Sequence, residues 1–212
     1  MKLINPVLIS FLLALGLVAS TAFAGAEANA PHGLDKQLLA SSAWLTVPGY
    51  PDHRGNLQFM PLPAGTLDAT RNVYVGQTAI TVRPNEGLFL PMFYWFGETY
   101  ADGSQDDPDF PAPADFLGCN VMLTLDGDVI LDSSDGLADN YVDTTYYPQP
   151  LVYPVPTGYG SVNTYFVKGL CTSIGTMSPG THELHLVITS PWILSVAGFN
   201  GWDNTWTITV EK

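Results

Sequence analysis

Residues 205–211 read Thr-Trp-Thr-Ile-Thr-Val-Glu, and this stretch decides the fold class. Trp206, Ile208 and Val210 alternate with Thr205, Thr207, Thr209 and Glu211. Successive side chains of an extended strand point to opposite faces, so the pattern gives one apolar face and one hydroxyl-rich face. The same period of two recurs upstream. Thr78, Ile80 and Val82 oppose Ala79, Thr81 and Arg83; Val121, Leu123 and Leu125 alternate with Met122 and Thr124; Leu184, Leu186 and Ile188 oppose Glu183 and His185.

Between these runs stand turn residues. Asp126-Gly127 predicts a tight hairpin, because Gly tolerates the positive φ that such a turn demands. Pro179-Gly180 and Asn200-Gly201 mark two more turns. Short apolar runs broken every eight to twelve residues or so by Gly, Pro, Asn and Asp are the rhythm of a sandwich or barrel. The expectation is an all-β, antiparallel β-sandwich, jelly-roll-like or immunoglobulin-like, of about nine or ten strands. One short helix is expected over Leu34–Ala43 and no other.

The beginning of the chain reads as an export signal. Lys2 precedes an uncharged apolar run from Val7 to Val18, and Ala22-Phe23-Ala24 has the small-x-small form of a cleavage site. The run is shorter than the roughly 20 residues a membrane-spanning helix needs. The organisation expected is a signal peptide at residues 1–24, a flexible leader and short helix at 25–43, and a single β-sandwich domain at 44–212. The protein is then secreted or periplasmic, with no transmembrane segment in the mature chain.

Seven Lys and Arg stand against 20 Asp and Glu, a net charge of −13. Such a surface repels nucleic acid and anionic membranes and leaves neutral glycans, cationic partners and divalent metals open. Cys119 and Cys171 are the two cysteines. An even count in an oxidising compartment predicts a disulfide, worth about 4 kcal/mol for a loop of roughly 50 residues.

From Thr78 to Lys212 the order of elements resembles a loose group of bacterial exported proteins of uncharacterised activity. The resemblance rests on Pro84-Asn85-Glu86-Gly87, the apolar run Leu88-Phe89-Leu90-Pro91, Leu125-Asp126-Gly127, the turn Ser178-Pro179-Gly180-Thr181-His182 and the closing Thr-rich strand. It implies a jelly-roll-like or immunoglobulin-like sandwich, and neither an activity nor a functional residue.

Two long loops stand out, at 97–118 and 146–159. The first carries Asp102, Ser104, Asp106, Asp107 and Asp109. Calcium takes six to eight or so oxygen ligands, and acids on a turn supply several, so Asp102, Asp106, Asp107 and Asp109 are candidate calcium ligands. Asp132, Asp135 and Asp139 form a second, sparser acidic group. Ahead of the first loop, Met92-Phe93-Tyr94-Trp95-Phe96 sends Phe93 and Trp95 to one face and Tyr94 and Phe96 to the other. One pair belongs to the core. The other is a candidate platform for sugar rings, with Glu98 and Tyr100 beside it to accept and donate hydrogen bonds.

His182 and His185 are three apart on a strand and point to opposite faces, which argues against a shared zinc ion. His53 sits in a loop beside Asp52. There is no G-x-S-x-G elbow and no phosphate-binding glycine loop. The first expectation is therefore a non-catalytic binding module for a polysaccharide or another extracellular partner, gripping it through Tyr94, Trp95, Glu98 and Tyr100. The second is a small secreted hydrolase or lyase acting on a polysaccharide, using a carboxylate with His53 or His185. The third is a calcium-stabilised structural protein of an envelope or matrix.

Overall fold

The computed structural model describes residues 33–46, 50–145, 150–153, 155–157 and 160–212. The segments expected from the sequence to be a signal peptide and leader, up to His32, together with residues 47–49 and residues 146–149, 154, 158 and 159 of the second long loop, lie outside them.

The described residues form twelve strands in two six-stranded sheets. Sheet A runs β1 (His53–Arg54), β2 (Leu57–Phe59), β5 (Gly87–Tyr100), β10 (Ser161–Ile174), β8 (Tyr141–Thr145), with β9 (Leu151–Val152) also paired to β10. Sheet B runs β3 (Gly65–Asp68), β4 (Val73–Val82), β12 (Gly201–Val210), β11 (Gly180–Thr189), β6 (Asn120–Leu125), β7 (Asp128–Asp132). The α-helices among the described residues are α1 (Leu34–Thr46), α2 (Pro113–Leu117) and α3 (Pro191–Ala197), and short 3-10 turns stand at Ser133–Asp135 and Ala138–Asn140.

Two expectations are corrected on strand pairing and helices. The sandwich is mixed, because β2 runs parallel to β5 and β4 runs parallel to β12. Two helices exist that periodicity did not announce. In α3, Pro191 occupies the first turn, Ser190 Oγ accepts from Trp192 N–H at 3.1 Å, and Gly198 closes the end at φ 80°.

The closing strand behaves as its alternation dictates. Trp206, Ile208 and Val210 of β12 are buried, while Thr207 and Thr209 are exposed. They meet Leu184, Leu186 and Ile188 of β11, and Leu88, Leu90 and Leu170 of the facing sheet, in the core between the sheets. Asp126 (φ 53°) and Gly127 (φ 87°) make the expected hairpin between β6 and β7.

β5 breaks the pattern. Every residue from Gly87 to Phe93 is buried, on both faces. The reason is a second core on the far side of sheet A, where Leu34, Leu38 and Ala40 of α1 cover Phe59, Phe89, Val142, Val167 and Cys171. Strands buried on both faces read as continuous apolar runs. The register of β5 and β10 shifts at Leu170/Cys171, where Pro91 lies opposite Cys171 and Phe93 opposite Leu170. Met92 is the unpaired extra residue, as in a β-bulge.

The disulfide is the third correction. Cys119 and Cys171 are both free thiols and both buried. Cys119 belongs to the core between the sheets, and Cys171 to the core under α1. The backbone of sheet A separates the two compartments, and a disulfide needs its Cα atoms within about 7 Å. Burial pushes the Cys119 thiol up to about 11 and the Cys171 thiol higher still.

Candidate functional site

The long pairing of β5 with β10 carries sheet A to the loop of residues 101–112. This loop turns back at Tyr100 and Gly103, where Tyr100 N–H donates to Ser104 at 2.8 Å, and Thr99 bridges to Gln105. Asp106 and Glu98 then exchange two bonds: Asp106 N–H donates to the Glu98 carbonyl, and Glu98 N–H to Asp106 Oδ2, both at 2.9 Å.

Asp106 also accepts from Tyr100 Oη at 3.1 Å, and its carbonyl accepts from Tyr165. Glu98 accepts from Tyr153 Oη and Ser161 Oγ, each at 2.8 Å, and Tyr153 in turn touches Thr164. Burial raises the Glu98 carboxyl above its ordinary range despite those two donors. Both carboxylate oxygens are therefore engaged inside the protein. The network fastens β9 and the start of β10 to the end of β5.

The acidic residues do not converge. Asp102 Oδ1 accepts from the backbone and hydroxyl of Ser104, and Asp107 Oδ1 accepts from Asp109 N–H, so each closes its own turn. Among the described residues no three His, Cys, Asp or Glu side chains are grouped so as to hold a metal ion. A lysine organises the loop instead. Lys168, on β10, is almost wholly buried; its Nζ donates to the Pro108 and Pro111 carbonyls and lies 3.6 Å from Asp143.

The aromatic stretch is divided between the two faces. Tyr94 and Phe96 pack toward the α1 core, with ring centroids 5.0 Å apart. Trp95 turns to the other face and joins Phe110 and Trp192, with centroids 5.7–5.9 Å apart among the three. Phe93 lies beneath, 5.7 Å from Trp192. The Trp95 indole N–H is buried and has no hydrogen-bond partner among the described residues. The four residues expected to share one platform thus serve three purposes: Tyr94 in one core, Trp95 in a ring cluster, Glu98 and Tyr100 in a polar fastening.

The ring cluster ends in an apolar surface. Phe110, Leu194 and Val196 are 42–44 % exposed. Helix α3, Pro-Trp-Ile-Leu-Ser-Val-Ala, is apolar almost all round, yet only Ile193 is buried. Sequence reading missed Trp192, Leu194, Val196, Phe110 and Lys168. Two signals were available: Ser190-Pro191 is a helix start, and a lone Lys in the apolar run Tyr165–Cys171 implies a buried partner.

Each described histidine finds an acid. His53 Nδ1 is 3.0 Å from Asp52, His182 Nδ1 is 2.7 Å from Asp126, and His185 Nε2 is 2.7 Å from Asp203. His182 also engages the Ser178 carbonyl through Nε2, so both its nitrogens are used. Asp203 is shared with Arg71 as well as His185.

No family model matches this chain, and no curated protein does. Among solved structures it is similar to a cysteine protease inhibitor from Entamoeba histolytica, at 10 % identity over 65 % of this chain and 94 % of that one, with a TM-score of 0.25. It is also similar to Amebosin, at 16 % identity over 64 % of this chain and 97 % of that one, with a TM-score of 0.21. TM-scores this low do not mark a shared fold.

Proposed function

We propose that the protein is an exported, non-catalytic binding module that holds a partner protein through the aromatic end of its sandwich. One observation carries this reading: α3 leaves Leu194 and Val196 exposed and also bears half-buried Trp192, whose ring lies 5.7 Å from that of exposed Phe110. Clustered apolar side chains left in water mark interaction surfaces, and large aromatic rings are their usual anchors. Asp107 and Asp109 shortly precede Phe110 in the chain, and the net charge of −13 favours a partner with basic residues around its apolar contact. The export-signal character of residues 1–24 supports an extracellular or periplasmic setting.

The test compares the protein with its Leu194→Asp/Val196→Asp double variant, each immobilised and exposed to extracellular proteins of the source organism. A partner retained by the first should be lost by the second, with affinity at least about tenfold weaker when titrated by calorimetry. Equal binding by both would remove the reading. Electrophoresis of both through polysaccharide gels completes it: retardation abolished in the double variant would make the partner a glycan.

A second reading keeps one observation. His53 and Asp52 are within hydrogen-bond reach of each other at 3.0 Å, and Asp52 lines a cleft. Such a pair suits general acid–base work on a polysaccharide. Sugar products in the same gels would bring that hydrolase reading forward.

A further inference from the structure

Toward the other end of β5 the seam between the sheets opens into a cleft of about 260 Å³. Its walls are Trp44 from α1, Asp52 from the loop before β1, Gln58 from β2, Pro61, and Ile80 and Thr81 from β4. Trp44 is half-buried, with its ring centred 6.2 Å from that of Phe59, which fixes it against the second core. Facing polar groups surround it. The Asp52 side chain is 56 % exposed, and its hydrogen bond with His53 holds its carboxyl below the usual range, so it is an ionised acceptor. The Gln58 amide is oriented by bonds to the Asp52 and Phe59 carbonyls at 2.8 and 3.3 Å.

The acid of the cleft is already paired: Asp52 Oδ1 lies 3.0 Å from His53 Nδ1. An apolar ring wall with an acceptor and an amide suits a molecule that is apolar on one face and ringed by hydroxyls. The volume lies just under the roughly 300–1,000 Å³ of pockets that enclose drug-sized ligands.

We propose that this cleft binds one neutral sugar ring, stacked on Trp44 and hydrogen-bonded to Asp52 and the Gln58 amide. It takes a chain end or a side branch of a glycan, since there is no room for a long segment. The proposal is independent of the partner surface at Trp192.

Saturation-transfer NMR and calorimetry with maltose, cellobiose and N-acetylglucosamine test it, with glucosamine and glucuronate as charged controls. At least one neutral probe should bind saturably. Asp52→Asn should weaken it about tenfold or more, and Trp44→Ala should abolish it, while Trp192→Ala leaves it unchanged. Because Trp44 also packs on Phe59, Asp52→Asn is the decisive variant: it is isosteric, exposed and leaves the core intact. Saturation by no neutral probe, preference for a charged control, or undiminished affinity in Asp52→Asn would each overturn the proposal. Loss in Trp192→Ala would instead place the sugar at the aromatic end.

Discussion

Gly97 has no room for a methyl group. A Cβ built there would fall 1.8 Å from Cε1 of Phe166, a ring with no exposure on the neighbouring strand. Gly97→Ala should therefore lower stability by about 1–3 kcal/mol, read as a lower urea midpoint at unchanged slope. An unaltered midpoint would mean that Phe166 swings aside freely. His182 gives a second expectation at this scale. Its hydrogen bond to Asp126, and then that to Ser178, raise its pKa, while the same pair lowers that of Asp126. A raised histidine contributes stability below its unfolded pKa and loses it as pH rises through the folded value; the lowered carboxylate contributes above its unfolded pKa and loses it in acid. The clasp is then strongest between about pH 4 and 6.5. The melting-temperature gap between the protein and His182→Gln should be wider near pH 5.5 than near pH 8.5. A constant gap would show that the clasp does not titrate. Single residues were the least legible level of the sequence. Tyr94, Trp95, Glu98 and Tyr100 are close in the chain, but alternation separates neighbours, and the loop that recruits Glu98 and Tyr100 folds back through long-range bonds that local pattern does not encode.

Elements were read well wherever one face meets water. β12 and β11 alternate because sheet B has an open outer side, and the Asp126-Gly127 hairpin has a purely local cause. β5 and β10 were harder, because α1 lies on the outer face of sheet A and erases the alternation on which face assignment depends. α3 was missed for a related reason: a seven-residue apolar run is as compatible with a buried strand as with a helix. The cysteine pairing failed at this level too. Export and an even count favour a bridge, but the two thiols lie on opposite sides of sheet A. Titration of the denatured protein without reductant should find two reactive thiols per chain, and a reductant should leave the melting temperature unchanged. A single disulfide-linked pair in that assay would contradict the separation of the two cores.

On the scale of the molecule, one end of the sandwich is apolar and aromatic, the seam near α1 is cleft and mixed, and the outer face of sheet B bears Thr205, Thr207, Thr209 and Thr181. Among the described residues no helix is long and apolar enough to cross a membrane. Composition made the acidic character plain, but it could not say where the charge would matter, because Asp102, Asp107 and Asp126 are each occupied with local turns or partners.

Strand order also has a meaning in time. β12 lies between β4 and β11 and is what joins the β3–β4 half of sheet B to the β11–β6–β7 half. It is also the last of these strands to leave the ribosome. Until then the sheet is two fragments with raw edges, and the core lacks Trp206, Ile208 and Val210. A sheet wired in this way cannot close before its last strand is made. Closure of sheet B is therefore among the last events in the making of this fold, and truncation before β12 would leave both halves of that sheet without their common neighbour.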